Sequence, residues 1–383
     1  MSGRMMAQAR RKNLTCADFA RRARAAAAAL LLAGAMPTAC MPSPPAETKP
    51  LSVSRVLGEV GSSPGQFMYP RAMDHDGRFL WVIDKSARVQ RLDPATGKCV
   101  GGWIMPEYLL GKPTGVTVKP GADGDALVYV PDTHYHRVVV YSMPAPREGV
   151  TGRDSFLPAQ PPVVATFGEY GEGPGQFIYP TDVAVLEDVT GVQRLYVSEY
   201  GGNDRISVWE PDGNGYRFSF SFGHFGASAS PDQVEFNRPQ SISIDRRSSG
   251  EPQLVIADAC NHRIGRFTLD GELIAWIGSP ESVGDLPGHF KYPYGLMLVG
   301  DGTALVAEFG NNRIQRIDLE TGRGMGSYGG AGRLPGQLVN PWAVTVAGAE
   351  VFVLDSQNNR IVVTELPGVR ASMNLAGAVG VHR

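Results

Sequence analysis

The constraint that dominates this chain of 383 residues is internal repetition. In residues 167–213, short apolar runs with alternating β-branched residues are separated by Gly, Pro, Asn and Asp. A period of two between turn formers is the mark of strands. The unit recurs six times. A proline opens the first strand at Pro70, Pro113, Pro180, Pro239, Pro293 and Pro341. An acid closes the second at Asp84, Asp132, Glu199, Asp258, Glu308 and Asp355, and an arginine opens the third at Arg88, Arg137, Arg205, Arg263, Arg313 and Arg360. The arginines are 49, 68, 58, 50 and 47 residues apart, so the copies differ mainly by insertions. Most opening prolines follow a Gly-Gln-Phe triplet or a variant of it, at 65–67, 175–177, 288–290 and 336–338.

Four short antiparallel strands repeated six times imply an all-β, six-bladed propeller. One such blade cannot bury both its faces, so the copies must stack and the ring must close. Residues 51–57 match the fourth strand of other units, whereas the last copy supplies three. The N-terminal strand is therefore expected to complete the last blade. The ring is assigned to residues 51–366, with a tail at 367–383 lacking a blade role. An insertion at 143–162, rich in Pro, Gly and charge, is expected as a solvated loop, or alternatively as a partner-docking arm.

The pattern resembles NHL repeats, most closely in DACNHRIGRF at 258–267 and EFGNNRIQRI at 308–317. The resemblance extends over residues 51 to about 365 and implies the fold, but not the function, because such propellers serve as scaffolds, sensors, RNA binders and enzymes. Among enzymes, PTDVAV at 180–185 and YVSE at 196–199 are similar to a blade of the peptidyl-α-hydroxyglycine amidating lyase. That resemblance would place zinc-binding His directly after the blade-opening Pro. Here those positions hold Arg71, Thr114, Thr181, Gln240, Tyr294 and Trp342, which are not zinc ligands of the N/S type. Neither a metal nor a cofactor is expected.

Residues 1–40 stand apart: a basic region precedes an apolar core at 25–36, too short to span a bilayer. They read as an export signal, and the small residues before Cys40 resemble a bacterial lipoprotein signal, implying lipidation at Cys40 and a Pro-rich tether at 41–50. Pro37 departs from that pattern, and cleavage without lipidation is the alternative. The expected location is the bacterial cell envelope, with the membrane reached through the lipid. Residues 41–383 hold 29 Lys/Arg and 37 Asp/Glu, a net −8. An acidic body without basic runs argues against nucleic acid. Cys99 and Cys260 lie in different blades, so no disulfide between them is expected.

Antiparallel strands put the loop entering the innermost strand and the loop joining the second and third strands on one face. The channel mouth on that face is thus expected to gather Arg71, Thr114, Thr181, Asp182, Gln240, Tyr294 and Trp342. The second-to-third loops add Lys85, His134, Tyr135, His136, Tyr200, His262, Phe309 and Gln357. A polar and aromatic ring suits a shallow ligand site, and wetted polar residues without a ligand are the alternative. The repeated acid–arginine pairs read as structural ties. The functional expectation is an exported, membrane-anchored, monomeric, non-catalytic module binding a protein, peptide or glycan at this face. The alternative is a lyase or a lactonase/hydrolase at the same mouth.

Overall fold

A computed structural model describes residues 47–107, 109–110, 112–121, 123–246 and 250–370. The chain divides into two units, 1–44 and 45–383, and the described residues all fall in the second. The export signal, Cys40 and most of the tether therefore lie outside the described residues. Among these residues no helix is long and apolar enough to cross a membrane.

Six four-stranded antiparallel sheets form the six blades. Blade 1 runs Pro70–His75, Leu80–Asp84, Arg88–Leu92, Cys99–Ile104, from the innermost strand outwards. Its fellows open with Thr117–Pro120, Tyr179–Asp188, Pro239–Asp245, Pro293–Leu298 and Pro341–Ala347. Blade 6 holds three strands from the C-terminal region, and Val53–Leu57 lies antiparallel on the outermost of them, Arg360–Thr364. The innermost strand of blade 2 starts late, four residues beyond Pro113. In the register of blade 1, where Ala72 faces Ile83, the residue facing Gly115 is Pro131, which has no N–H to continue the ladder.

Two repeated devices hold the ring. In the first, Phe67, Phe177, Phe236, Phe290 and Leu338, all fully buried, project from the loops that enter the blades. Each sits beneath a glycine at positive φ, such as Gly168 (φ 87°), where a Cβ would overlap Phe177. In the second, the closing acid and opening arginine of each blade pair, as in Arg263 Nε to Asp258 at 2.8 Å and Arg313 Nε to Glu308 at 2.7 Å. The pairs Arg88–Asp84, Arg137–Asp132, Arg205–Glu199 and Arg360–Asp355 complete the set. In five blades the guanidinium also caps carbonyls of the entering loop, as Arg313 does at Asp285 O (2.5 Å) and His289 O (3.2 Å). The acid takes a backbone N–H of the same loop, as Glu199 does from Ile178 at 2.8 Å. These pairs therefore organise the blade entrances.

The 143–162 insertion is exposed over most of its length, as a solvated loop is, but its middle is anchored to blade 1. Phe156 bridges Gly102 in the outer strand of blade 1, Leu157 N donates to Gly102 O at 2.8 Å, and Ser155, 5% exposed, donates to Cys99 O. Its apolar residues reach an outer strand that two glycines leave uncovered. At the start of the tail, Val369 is buried against blades 5 and 6 and Arg316 Nη1 donates to Pro367 O at 3.0 Å, whereas residues 371–383 of the tail lie outside the described residues.

Candidate functional site

The six innermost strands surround an axial channel of about 300 Å³. Their edges come close enough that side chains seal one strand to the next. Gly295 is needed at such a contact, because a Cβ there would stand 2.7 Å from both Ala343 Cα and Trp342 O. Asp182 Oδ2 accepts Ile242 N–H and Ser241 Oγ–H, both at 3.0 Å, and Asp74 Oδ2 accepts Val118 N–H at 2.7 Å. Thr117 Oγ1 donates to Val183 O at 2.5 Å. Burial pushes the Asp74 carboxyl up to about 6 and the Asp182 carboxyl up to about 7.

At one end the channel opens among the residues that follow the blade-opening prolines. Arg71, Thr114, Asp182, Gln240, Tyr294 and Trp342 all line it. Thr181 does not: it is fully buried, and its hydroxyl bonds Pro239 O at 2.8 Å and Ser198. Its role is to tie blade 3 to blade 4. Thr114 is similarly engaged with Thr133 and Thr181 O.

The wall around Arg71 and Trp342 is aromatic. The Arg71 guanidinium lies 5.5 Å from the Trp342 ring and 5.7 Å from that of Tyr69. The Arg238 guanidinium lies 4.7 Å from Tyr200 and 5.2 Å from Tyr294. Tyr294 stacks on Phe309 at 4.5 Å and meets Trp342 edge-on at 4.9 Å. Among the described residues no carboxylate pairs with Arg71, and burial lowers its pKa. Four atoms at the rim are buried without a hydrogen-bond partner among the described residues: Arg71 Nε, Gln240 Nε2, Trp342 Nε1 and His134 Nδ1. The first three are donors whatever the pH.

Sequence reading missed the residues preceding the prolines. Tyr69, Arg238, Tyr292 and Asn340 take left-handed φ of 50–61°, which turns them along the rim. This conformation is costly for side chains of that size, and a polar clasp from the preceding blade holds each one. Asn359 Oδ1 accepts Tyr69 N–H at 2.6 Å and Asp204 Oδ1 accepts Arg238 N–H at 2.5 Å. His262 Nδ1 accepts Tyr292 N–H at 3.1 Å and Asn312 Oδ1 accepts Asn340 N–H at 2.9 Å. His136 Nδ1 joins Ile178 O in the same place. The signal was present as an aromatic or cationic residue before each of Pro70, Pro113, Pro180, Pro239 and Pro293.

The clasps account for two of the three rim histidines. Burial lowers His262 to about 4, so it is neutral at pH 7 and keeps its acceptor. Among the described residues no group of three or more His, Cys, Asp or Glu is placed to hold a metal ion.

No family model matches the chain. It is 29% identical over 96 residues to NHL repeat-containing protein 3 of Mus musculus, a match covering 25% of this chain and 26% of that one. The aligned part thus spans about a quarter of the length of that curated relative. A Bacteroides thetaiotaomicron protein of unknown function is similar in structure, with TM-score 0.53 and 15% identity over 84% of this chain and 74% of the other. Raptor of Chaetomium thermophilum gives TM-score 0.52 and 11% identity over 85% of this chain and 30% of its own. A streptogramin B lyase structure gives TM-score 0.43, too low to carry a functional argument. The blades and these structural likenesses define a six-bladed β-propeller, whose repeats are similar to those of an NHL repeat-containing protein.

Proposed function

We propose that the protein is a binding module whose channel mouth receives an acceptor-rich segment of a peptide, protein or glycan. The observation that carries this reading is the set of three unpartnered donors, Arg71 Nε, Gln240 Nε2 and Trp342 Nε1, set among aromatic rings. Buried donors without acceptors cost stability, and a ligand carbonyl, hydroxyl or carboxylate would satisfy them. Tyr294 and Trp342 give the mouth an aromatic lining, and the guanidinium of Arg71 favours negative charge. The proposal includes export and attachment to a bacterial envelope through Cys40. Binding of the purified chain to peptide and glycan arrays, beside Arg71→Gln and Trp342→Phe, tests the mouth. A discrete set of ligands that fades in both variants is expected, and binding insensitive to either variant contradicts the assignment. Labelling with radioactive palmitate in a bacterial host, lost in Cys40→Ala, tests the anchor.

A second reading, a lyase or hydrolase at the same mouth, is favoured by Asp182, whose carboxyl titrates near neutrality on the channel wall. Turnover of an array ligand by wild type but not by Asp182→Asn would establish it.

A further inference from the structure

The channel is not the only cavity. About 230 Å³ lies between the outer strands of blade 1 and the 143–158 segment of blade 2. Arg91 faces this space and is 1% exposed. One of its donors, Nη2, reaches Pro144 O at 2.9 Å. Nε and Nη1 have no partner among the described residues, and no carboxylate there forms an ion pair with it. The carboxylate of nearby Asp76 is already engaged by Arg78 N–H, Phe79 N–H and Trp81 Nε1–H.

The repeat itself supplies the control. Arg91 stands three residues after the opening arginine of its blade, as Arg266 and Arg316 do in blades 4 and 5. Those two have acceptors around the whole guanidinium. Arg266 bonds Gln253 Oε1, Leu319 O and the Glu320 carboxylate (3.0 Å), whereas Arg316 bonds Thr303 Oγ1, Pro367 O and the Asp301 carboxylate (2.6 Å). In blade 1 the position equivalent to Gln253 and Thr303 is Phe79, and the ring packs 5.4 Å from the guanidinium without accepting a bond. The neighbouring blade contributes only the Pro144 carbonyl, because its inserted segment replaces the turn that carries Glu320 in blade 5. The missing group is an anion.

The walls define what kind. Val100, Met143, Val150 and Leu157 make most of the lining apolar, with Arg147 as a second cation beside the space. Gly101 leaves the guanidinium uncrowded, since a Cβ there would stand 3.1 Å from Arg91 Nε and 3.0 Å from Met143 Cε. We propose that this cavity is a binding site for a small aliphatic carboxylate, its carboxylate accepting from Arg91 Nη1 and its short chain against Met143 and Leu157. The site is separate from the mouth, and its occupation would bind the inserted segment to blade 1.

Isothermal titration of the full chain with sodium butyrate, butyramide and inorganic phosphate tests the proposal. Butyrate is expected to bind one to one, with butyramide and phosphate at least tenfold weaker. Arg91→Met is expected to abolish butyrate binding. Gly101→Ala, whose added methyl crowds Arg91 Nε and Nη2 and Met143 Cε, is expected to weaken it at least fivefold in a protein whose circular dichroism is unchanged. Absence of saturable butyrate binding, or binding of equal strength in Arg91→Met, would overturn the site. Phosphate binding tighter than butyrate would overturn the ligand class.

Discussion

Replacing Arg313 with Met tests how the blade entrances are held. Arg313 is 2% exposed and bonds Glu308, which is fully buried, together with two carbonyls of the entering loop, Asp285 O and His289 O. Removing one partner of a buried pair costs about 3–5 kcal/mol, because the other charge is left uncompensated. Here Glu308 retains Lys291 N–H, Asn311 Nδ2 and Gln315 Nε2 as donors, which places the carboxylate's share at the low end. Asp285 O loses its donor at about 1 kcal/mol, whereas His289 O keeps Gln315 Nε2 at 3.1 Å. The total of about 4 kcal/mol corresponds to a melting temperature lowered by about 6 °C, at an unfolding entropy of about 2.1 cal/mol/K per residue over a chain of this size. Adding Glu308→Gln should restore much of the loss, since it removes the buried charge. Arg217→Met breaks a pair whose arginine is more than half exposed and should change stability by less than about 1 kcal/mol. The assay is calorimetry or urea denaturation of all four proteins. A loss under about 1 kcal/mol in Arg313→Met, or a double variant no better than the single, refutes the reasoning.

Three further perturbations address the channel and its rim. Asn359→Ala removes the acceptor of Tyr69 N–H at the junction of blades 6 and 1; it should cost about 1–3 kcal/mol and speed hydrogen exchange at Tyr69. Gly295→Ala forces two innermost strands apart and should cost about 1–3 kcal/mol in urea unfolding, whereas Gly302→Ala, with open space around it, should show only the strain of its positive φ. Asp182 has a folded pKa near 7, above its unfolded value of about 4, so its contribution is fully present below pH 4 and declines as pH rises to 7. Urea midpoints should therefore fall more between pH 4.5 and pH 8 for wild type than for Asp182→Asn.

Much of this architecture is legible in sequence because each copy repeats the same local chemistry. A proline, an acid and an arginine at fixed places in six copies mark the strand ends, and the pairing of Arg263 with Asp258 follows from their four intervening residues. The mouth is legible in outline for the same reason: strand direction alone brings Arg71, Gln240, Tyr294 and Trp342 together. What could not be read depends on φ and on packing between blades. A left-handed residue before proline is not the default for Tyr69 or Arg238, and only the clasps from Asn359 and Asp204 make it stable. Thr181 was indistinguishable from its neighbours in the mouth because its burial depends on the closeness of blade 4. Composition likewise could not show that the 143–158 segment covers blade 1, since that follows from the space left by Gly101 and Gly102.

The account rests on the mouth, and the dissociation constant of the strongest array ligand measures it most directly. Calorimetric titration of wild type, Arg71→Gln and Gln240→Ala should show each substitution weakening binding about tenfold or more, the loss of one hydrogen bond to a charged group or of a buried amide donor. Equal affinities in all three proteins would mean that the ligand sits elsewhere and that the channel mouth is not the binding site.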